Sequence, residues 1–116
     1  MEALAHLEKA AQIDPTDPKF QNDLAWLLST SAQASLRNGL KAVEFAQRAS
    51  DLTGGKDPAI QGTLAATYAE ARRFDDAVRT VRDAIAAAKA AGKTELAQRL
   101  NGELRLYEIK QPFHQP

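Results

Sequence analysis

The chain repeats one arrangement of large and small residues. Leu24-Ala25 followed by Leu28 recurs as Leu64-Ala65 followed by Tyr68. On a helix these positions share a face, so the small residue admits a close neighbour while the large ones fill the space beside it. A second pattern, Ala3, Leu7, Ala10, Pro15, returns as Ala42, Ala46, Ala49, Gly54 and again as Ala77, Val81, Ala84, Lys89. The step from Ala42 to Ala77 is 35 residues and that from Ala3 to Ala42 is 39. A unit of this size cannot bury its apolar face alone, so of a bundle and a solenoid the repeat favours the solenoid, a stack of such units.

The units are helical. Alanine, leucine, glutamine and paired charges dominate and β-branched residues are sparse, which favours helix nearly throughout. Asp17-Pro18 and Asp57-Pro58 read as N-cap aspartates with proline at the first helical position, where its missing N–H costs nothing. Asp14-Pro15, Asn38-Gly39, Gly54-Gly55, Gly92 and Pro112 mark the breaks. The pattern predicts helices over 1–13, 17–30, 39–53, 57–71, 74–91 and 94–110. Each is expected to carry one apolar stripe and one polar face, as in Leu24, Leu27, Leu28 and in Leu96, Leu100, Leu104, Tyr107. Short connections make consecutive helices antiparallel.

With this large–small–large first helix and alanine-spaced second helix, the chain resembles the tetratricopeptide repeat family, from Ala3 to about Lys110. The clearest unit carries Leu64, Ala65, Tyr68, Phe74, Ala77 and Ala84. The resemblance implies an all-α, right-handed α-solenoid of antiparallel helix pairs, about two and a half units plus a capping helix. The repeat domain would span 1–110, with a tail at 111–116. The first unit has only its second helix, as though the chain were cut from a longer array; the whole resembles the C-terminal part of a longer bacterial one. The middle unit has a long loop, Ser29–Gly39, and Ala46 where a larger residue is common. The third lacks a closing proline. The last helix, Thr94–Lys110, would turn Glu95, Arg99, Glu103 and Arg105 to water as a cap.

The family also implies a concave groove lined by the first helix of each pair. By register the groove takes Lys19, Asn22, Trp26 and Ser29 from one unit, and Ala59, Gly62, Ala66 and Ala69 from the next. Gln98, Gly102 and Arg105 would come from the cap. Trp and Arg are enriched at binding hot spots. Equally, Trp26 could pack against an upstream helix and the small residues merely permit tight curvature. Some family members grip a terminal carboxylate with paired lysine and asparagine; Asn22 matches one such position, while Trp26 and the small residues of the next unit depart from it.

Three other segments are candidates for function. The loop Ser29–Gly39 is either a specificity element or a solvated connection. The ladder Arg72, Arg73, Asp75, Asp76, Arg79, Arg82, Asp83 reads as a solvated face. In the tail, Phe113 between two prolines is a docking motif, a residue folded back near Tyr107, or part of a disordered end.

Composition narrows the function classes. Fifteen basic residues balance fifteen acidic ones, so no basic excess points to nucleic acid or to an anionic membrane. There is no cysteine, which removes disulfide, thiolate and zinc–thiolate chemistry. His6 and His114 lie at opposite ends, without clustered carboxylates at metal-ligand spacing. Gly54-Gly55-Lys56 lacks the strand and spacing of a phosphate loop. No apolar run approaches the roughly 20 residues of a membrane span, and Met1 to Gln12 lack a signal sequence's apolar centre. This segment alone favours the cytoplasm over export.

The sequence therefore predicts a non-enzymatic module, without cofactor or metal, that binds a peptide or helix of a partner protein in its groove. The alternatives are self-association through an uncovered first-helix stripe (Leu4, Leu7, Ala11), giving a homodimer, or an accessory repeat segment of a larger enzyme.

Overall fold

The aspartate–proline pairs start their helices as their chemistry requires. In the computed structural model, which describes residues 2–116, Asp17 accepts a hydrogen bond from the Lys19 amide at 2.9 Å. Asp57 accepts from the amides of Ala59 (2.9 Å) and Ile60 (3.4 Å), and Asn38 from that of Lys41 (3.2 Å). Pro18 and Pro58 follow the two aspartates at the first helical turn. Each cap satisfies amides that have no partner inside the helix.

Among the described residues there are six α-helices and no strand: α1 Glu2–Ile13, α2 Pro18–Thr30, α3 Gly39–Leu52, α4 Pro58–Glu70, α5 Phe74–Ala90 and α6 Thr94–Glu108. A 3₁₀ turn at Ala34–Leu36 interrupts the α2–α3 loop. Each helix packs against the next, and α2 also packs on α4 and α4 on α6. The radius of gyration is 13.2 Å, close to the about 13.4 Å expected of a compact domain this long. None of these helices is long and apolar enough to cross a membrane.

Burial departs from the one-stripe expectation at α4. Pro58, Ile60, Gly62, Thr63, Leu64, Ala65, Ala66, Thr67 and Ala69 are all buried, so α4 has no continuous polar face. The reason is its position: α2, α3, α5 and α6 all pack on it. Its small side chains let four helices approach one axis, and the Thr63 and Thr67 hydroxyls donate to their own helix's carbonyls. Close approach also fixes two glycines. A Cβ on Gly39 would lie 2.9 Å from the Ala71 backbone, and one on Gly62 would lie 2.6 Å from Leu100 Cδ2.

The main core joins α4, α5 and α6 through Ala65, Ala69, Val81, Ile85, Leu100 and Tyr107. A smaller cluster of Ala25, Ala46 and Leu64 ties α2 and α3 to α4, and Tyr68 borders both. On α1, Ala11 is buried and Leu4 and Leu7 are half-buried, so the stripe expected to be bare is partly covered. A cavity of about 360 Å³ remains beside it, lined in part by Ala11, Pro15, Gln21 and Phe45.

The expected outer face of α6 needs a correction. Glu95, Arg99 and Arg105 are exposed, but Glu103 is only 2% exposed. Glu103 lies three residues after Leu100 and four before Tyr107, so helical geometry places it on the buried stripe. Burial pushes its carboxyl up to about 7, partly opposed by the Arg99 guanidinium 3.5 Å away.

Candidate functional site

The C-terminal tail returns across the ends of three helices. Helix α6 closes at Ile109, and Lys110 adopts a left-handed φ of 59° that turns the chain back. The Gln111 amide bonds the Leu106 carbonyl at 2.9 Å. Pro112 then bars further helix and biases its predecessor to extended backbone. From there the tail runs past the last residue of α4 to the last residue of α2.

Its contacts are specific. The Phe113 ring stacks on Trp26 with centroids 5.7 Å apart and planes 29° from parallel. It also packs against the core cluster that contains Tyr107. His114 Nε2 lies 2.7 Å from Glu70 Oε1. The Gln115 amide donates to the Thr30 carbonyl at 2.7 Å, and its side-chain amide donates to Thr30 Oγ1 at 2.8 Å. The Thr30 carbonyl belongs to the last turn of α2, where no intrahelical donor reaches it.

Each tail partner is held from behind. Arg99 of α6 places its guanidinium 5.5 Å from the Trp26 ring while pairing with Glu103. Arg37, from the α2–α3 loop, donates from Nη1 to the Ser31 carbonyl at 2.6 Å and sets Nε 3.4 Å from Glu70 Oε2. That loop thus contributes one anchored side chain, although 32–35 are exposed. The Thr30 hydroxyl donates to the Trp26 carbonyl at 2.6 Å, so only its lone pairs face the tail.

The residues expected to line a groove divide into four groups. Trp26 is half-buried and carries the tail's aromatic ring. Ser29, Gly62, Ala66 and Ala69 are buried: Ser29 Oγ bonds the Ala25 carbonyl at 2.8 Å, and Gly62 lies under Leu100. They form packing beneath the surface and offer no area to a ligand. Lys19, Gln98, Gly102 and Arg105 are exposed, and none of them is among the tail's hydrogen-bond or stacking partners. Asn22 and Ala59 are half-buried, with Asn22 Oδ1 enclosed and unpartnered. Nearby on α2, burial raises the Asp23 carboxyl above its ordinary range, with Lys19 opposing the shift and Asp17 adding to it.

Sequence reasoning missed Thr30, Arg37, Glu70 and Arg99 as parts of this site, and His114 and Gln115 as parts of its occupant. A polar residue at the end of a helix gives no local sign of what will meet it. Among the described residues, no group of three or more His, Cys, Asp or Glu side chains is placed to hold a metal ion. No family model matches the chain, no curated protein matches it, and no solved structure matches it.

Proposed function

We propose that the chain is a protein-binding module that holds an extended segment of a partner along the ends of α2, α4 and α6. The observation that carries this reading is the tail itself: a short extended peptide lies there, with stacking, side-chain and backbone contacts together. Backbone bonding with side-chain pockets at defined positions is a general way proteins take up peptides. The tail then acts as a tethered occupant. Its effective concentration is about millimolar for so short a connection, so a partner segment must bind more tightly than the tail or meet it already released.

The helix order fits a stack of tetratricopeptide-like pairs, for which the family resemblance implies a right-handed turn. In that reading α2–α3 and α4–α5 are the full units, α1 is the second helix of a half unit and α6 is the cap. The α2–α4 and α4–α6 contacts support it, because in such a stack the first helices of successive units touch.

The test uses the full chain carrying Phe113→Ala and Gln115→Ala, which loosens the tail without shortening it. A synthetic Gln-Pro-Phe-His-Gln-Pro peptide is then added. Trp26, the sole tryptophan, is the reporter. A saturable change in its emission supports the reading, and emission unchanged by peptide removes it.

A further inference from the structure

The tail's contacts share a polarity that defines what the face accepts. Beyond the Trp26 ring, the tail meets three acceptors: Glu70 Oε1, the Thr30 carbonyl and Thr30 Oγ1. A carbonyl only accepts. The Thr30 hydroxyl already donates its one hydrogen bond to the Trp26 carbonyl. Glu70 is a carboxylate acceptor whose second oxygen faces Arg37, and Arg37 is itself tied to the Ser31 carbonyl. Arg37 balances the single charge of Glu70, so a second carboxylate placed beside that pair would leave it with a net negative charge.

Resting on the peptide-binding reading, we propose that the preferred partner segment has an aromatic residue followed by two residues that present hydrogen-bond donors. A carboxylate at the first of these two positions is rejected, and so is proline at the second. The aromatic ring takes the place of Phe113 on Trp26, whose electron density is already engaged by Arg99. The next side chain takes the place of His114 and must donate to Glu70 Oε1. An imidazole, amide or ammonium group can do so. A carboxylate would set two anions about 3 Å apart on a half-buried surface, with no proton between them. The third residue takes the place of Gln115. It needs its backbone N–H for the Thr30 carbonyl, which proline lacks, and a side-chain donor for Thr30 Oγ1.

The experiment titrates the Phe113→Ala, Gln115→Ala full chain with the tail-sequence peptide and three variants of it, read by fluorescence anisotropy of labelled peptide. The peptide carrying His114→Gln should bind within about threefold of the parent. Those carrying His114→Glu or Gln115→Pro should bind about tenfold or more weakly, the scale of an unmade buried bond. Glu70→Gln in the protein should restore the His114→Glu peptide to near-parent affinity. Equal binding of the His114→Glu and His114→Gln peptides overturns the donor rule while leaving the peptide-binding reading intact. Failure of the parent peptide to bind a receptor whose circular dichroism shows it folded overturns that reading instead. Should the doubly substituted chain not fold, single His114→Glu in the otherwise native chain serves. Tail release, seen as a shift of Trp26 emission, is the expected result, and unchanged emission contradicts the rule.

Discussion

Phe113 and Trp26, near opposite ends of the chain, stack with ring centroids 5.7 Å apart. The contact joins the last segment to the first full helix pair, and the Arg99 guanidinium also lies over the Trp26 ring. One aromatic side chain thus links α2, α6 and the tail, making its environment a direct reporter of whether the tail is in place.

Phe113→Ala should expose Trp26 and loosen this link. Phe113 is half-buried, so the expected loss is about 1–3 kcal/mol, below that of a fully buried phenylalanine. Urea unfolding followed by tryptophan emission measures both effects: a lower midpoint, and a red-shifted native spectrum before unfolding begins.

Glu103→Gln should raise stability above neutral pH and change it little near pH 4. The folded carboxyl is raised from 4.5 to about 7, chiefly by burial, so the native state holds its proton more tightly than the unfolded one. Stability therefore falls as pH rises from about 4.5 to about 7 and levels off beyond. The shift corresponds to an order of 3 kcal/mol. Thermal melts of both proteins from pH 4 to pH 9 should diverge through that window, and parallel curves would mean that Glu103 is ionised without penalty.

Gly39→Ala should destabilise by about 1–3 kcal/mol, because the new methyl would sit 2.9 Å from backbone that cannot swing aside. At the first residue of α3, alanine's better helix propensity offsets little of this. An unchanged urea midpoint would show that α3 does not abut the α4–α5 turn.

Arg72→Gly should stabilise. Arg72 holds φ at 66°, the left-handed region that Gly54, Gly55 and Gly92 occupy at other breaks. Relief of that strain is worth about 1 kcal/mol, against roughly 0.5 kcal/mol for the exposed contact of Arg72 with Phe74. A small rise in melting temperature is the expected outcome.

Solution mass should be that of one chain. On α1, Ala11 is buried against its neighbours and Leu4 and Leu7 are half-buried, which leaves little bare apolar stripe to pair with a second copy. A concentration-dependent dimer abolished by Leu4→Glu in light scattering would instead assign α1 a role in self-association.

What the sequence made legible was local. Asp17 and Asp57 announced their helix starts because a cap bonds amides two or three residues away, whereas Asn38-Gly39 was legible only as a break and Asn38 proves to cap α3. The burial of Glu103 was also within reach, since its spacing from Leu100 and Tyr107 fixes its face; its charge argued the other way. The all-round burial of α4 was hidden because small residues serve equally in a crowded helix and an open trough. The return of Phe113 toward Tyr107 was legible as one of the tail's alternatives, but the path beyond it had no local signal. The tail turns on a left-handed lysine, Lys110, and on partners at the far ends of α2 and α4 that no spacing rule connects.

The central claim is that the tail occupies its site as an exchangeable ligand, and nuclear Overhauser contacts between the Phe113 and Trp26 rings test it most directly. In the intact isotope-labelled chain those contacts should be present, and they should fade as unlabelled tail-sequence peptide is added in excess, while the helical amide pattern persists. Ring contacts that survive a large excess of peptide, or that are absent from the start, would contradict the account.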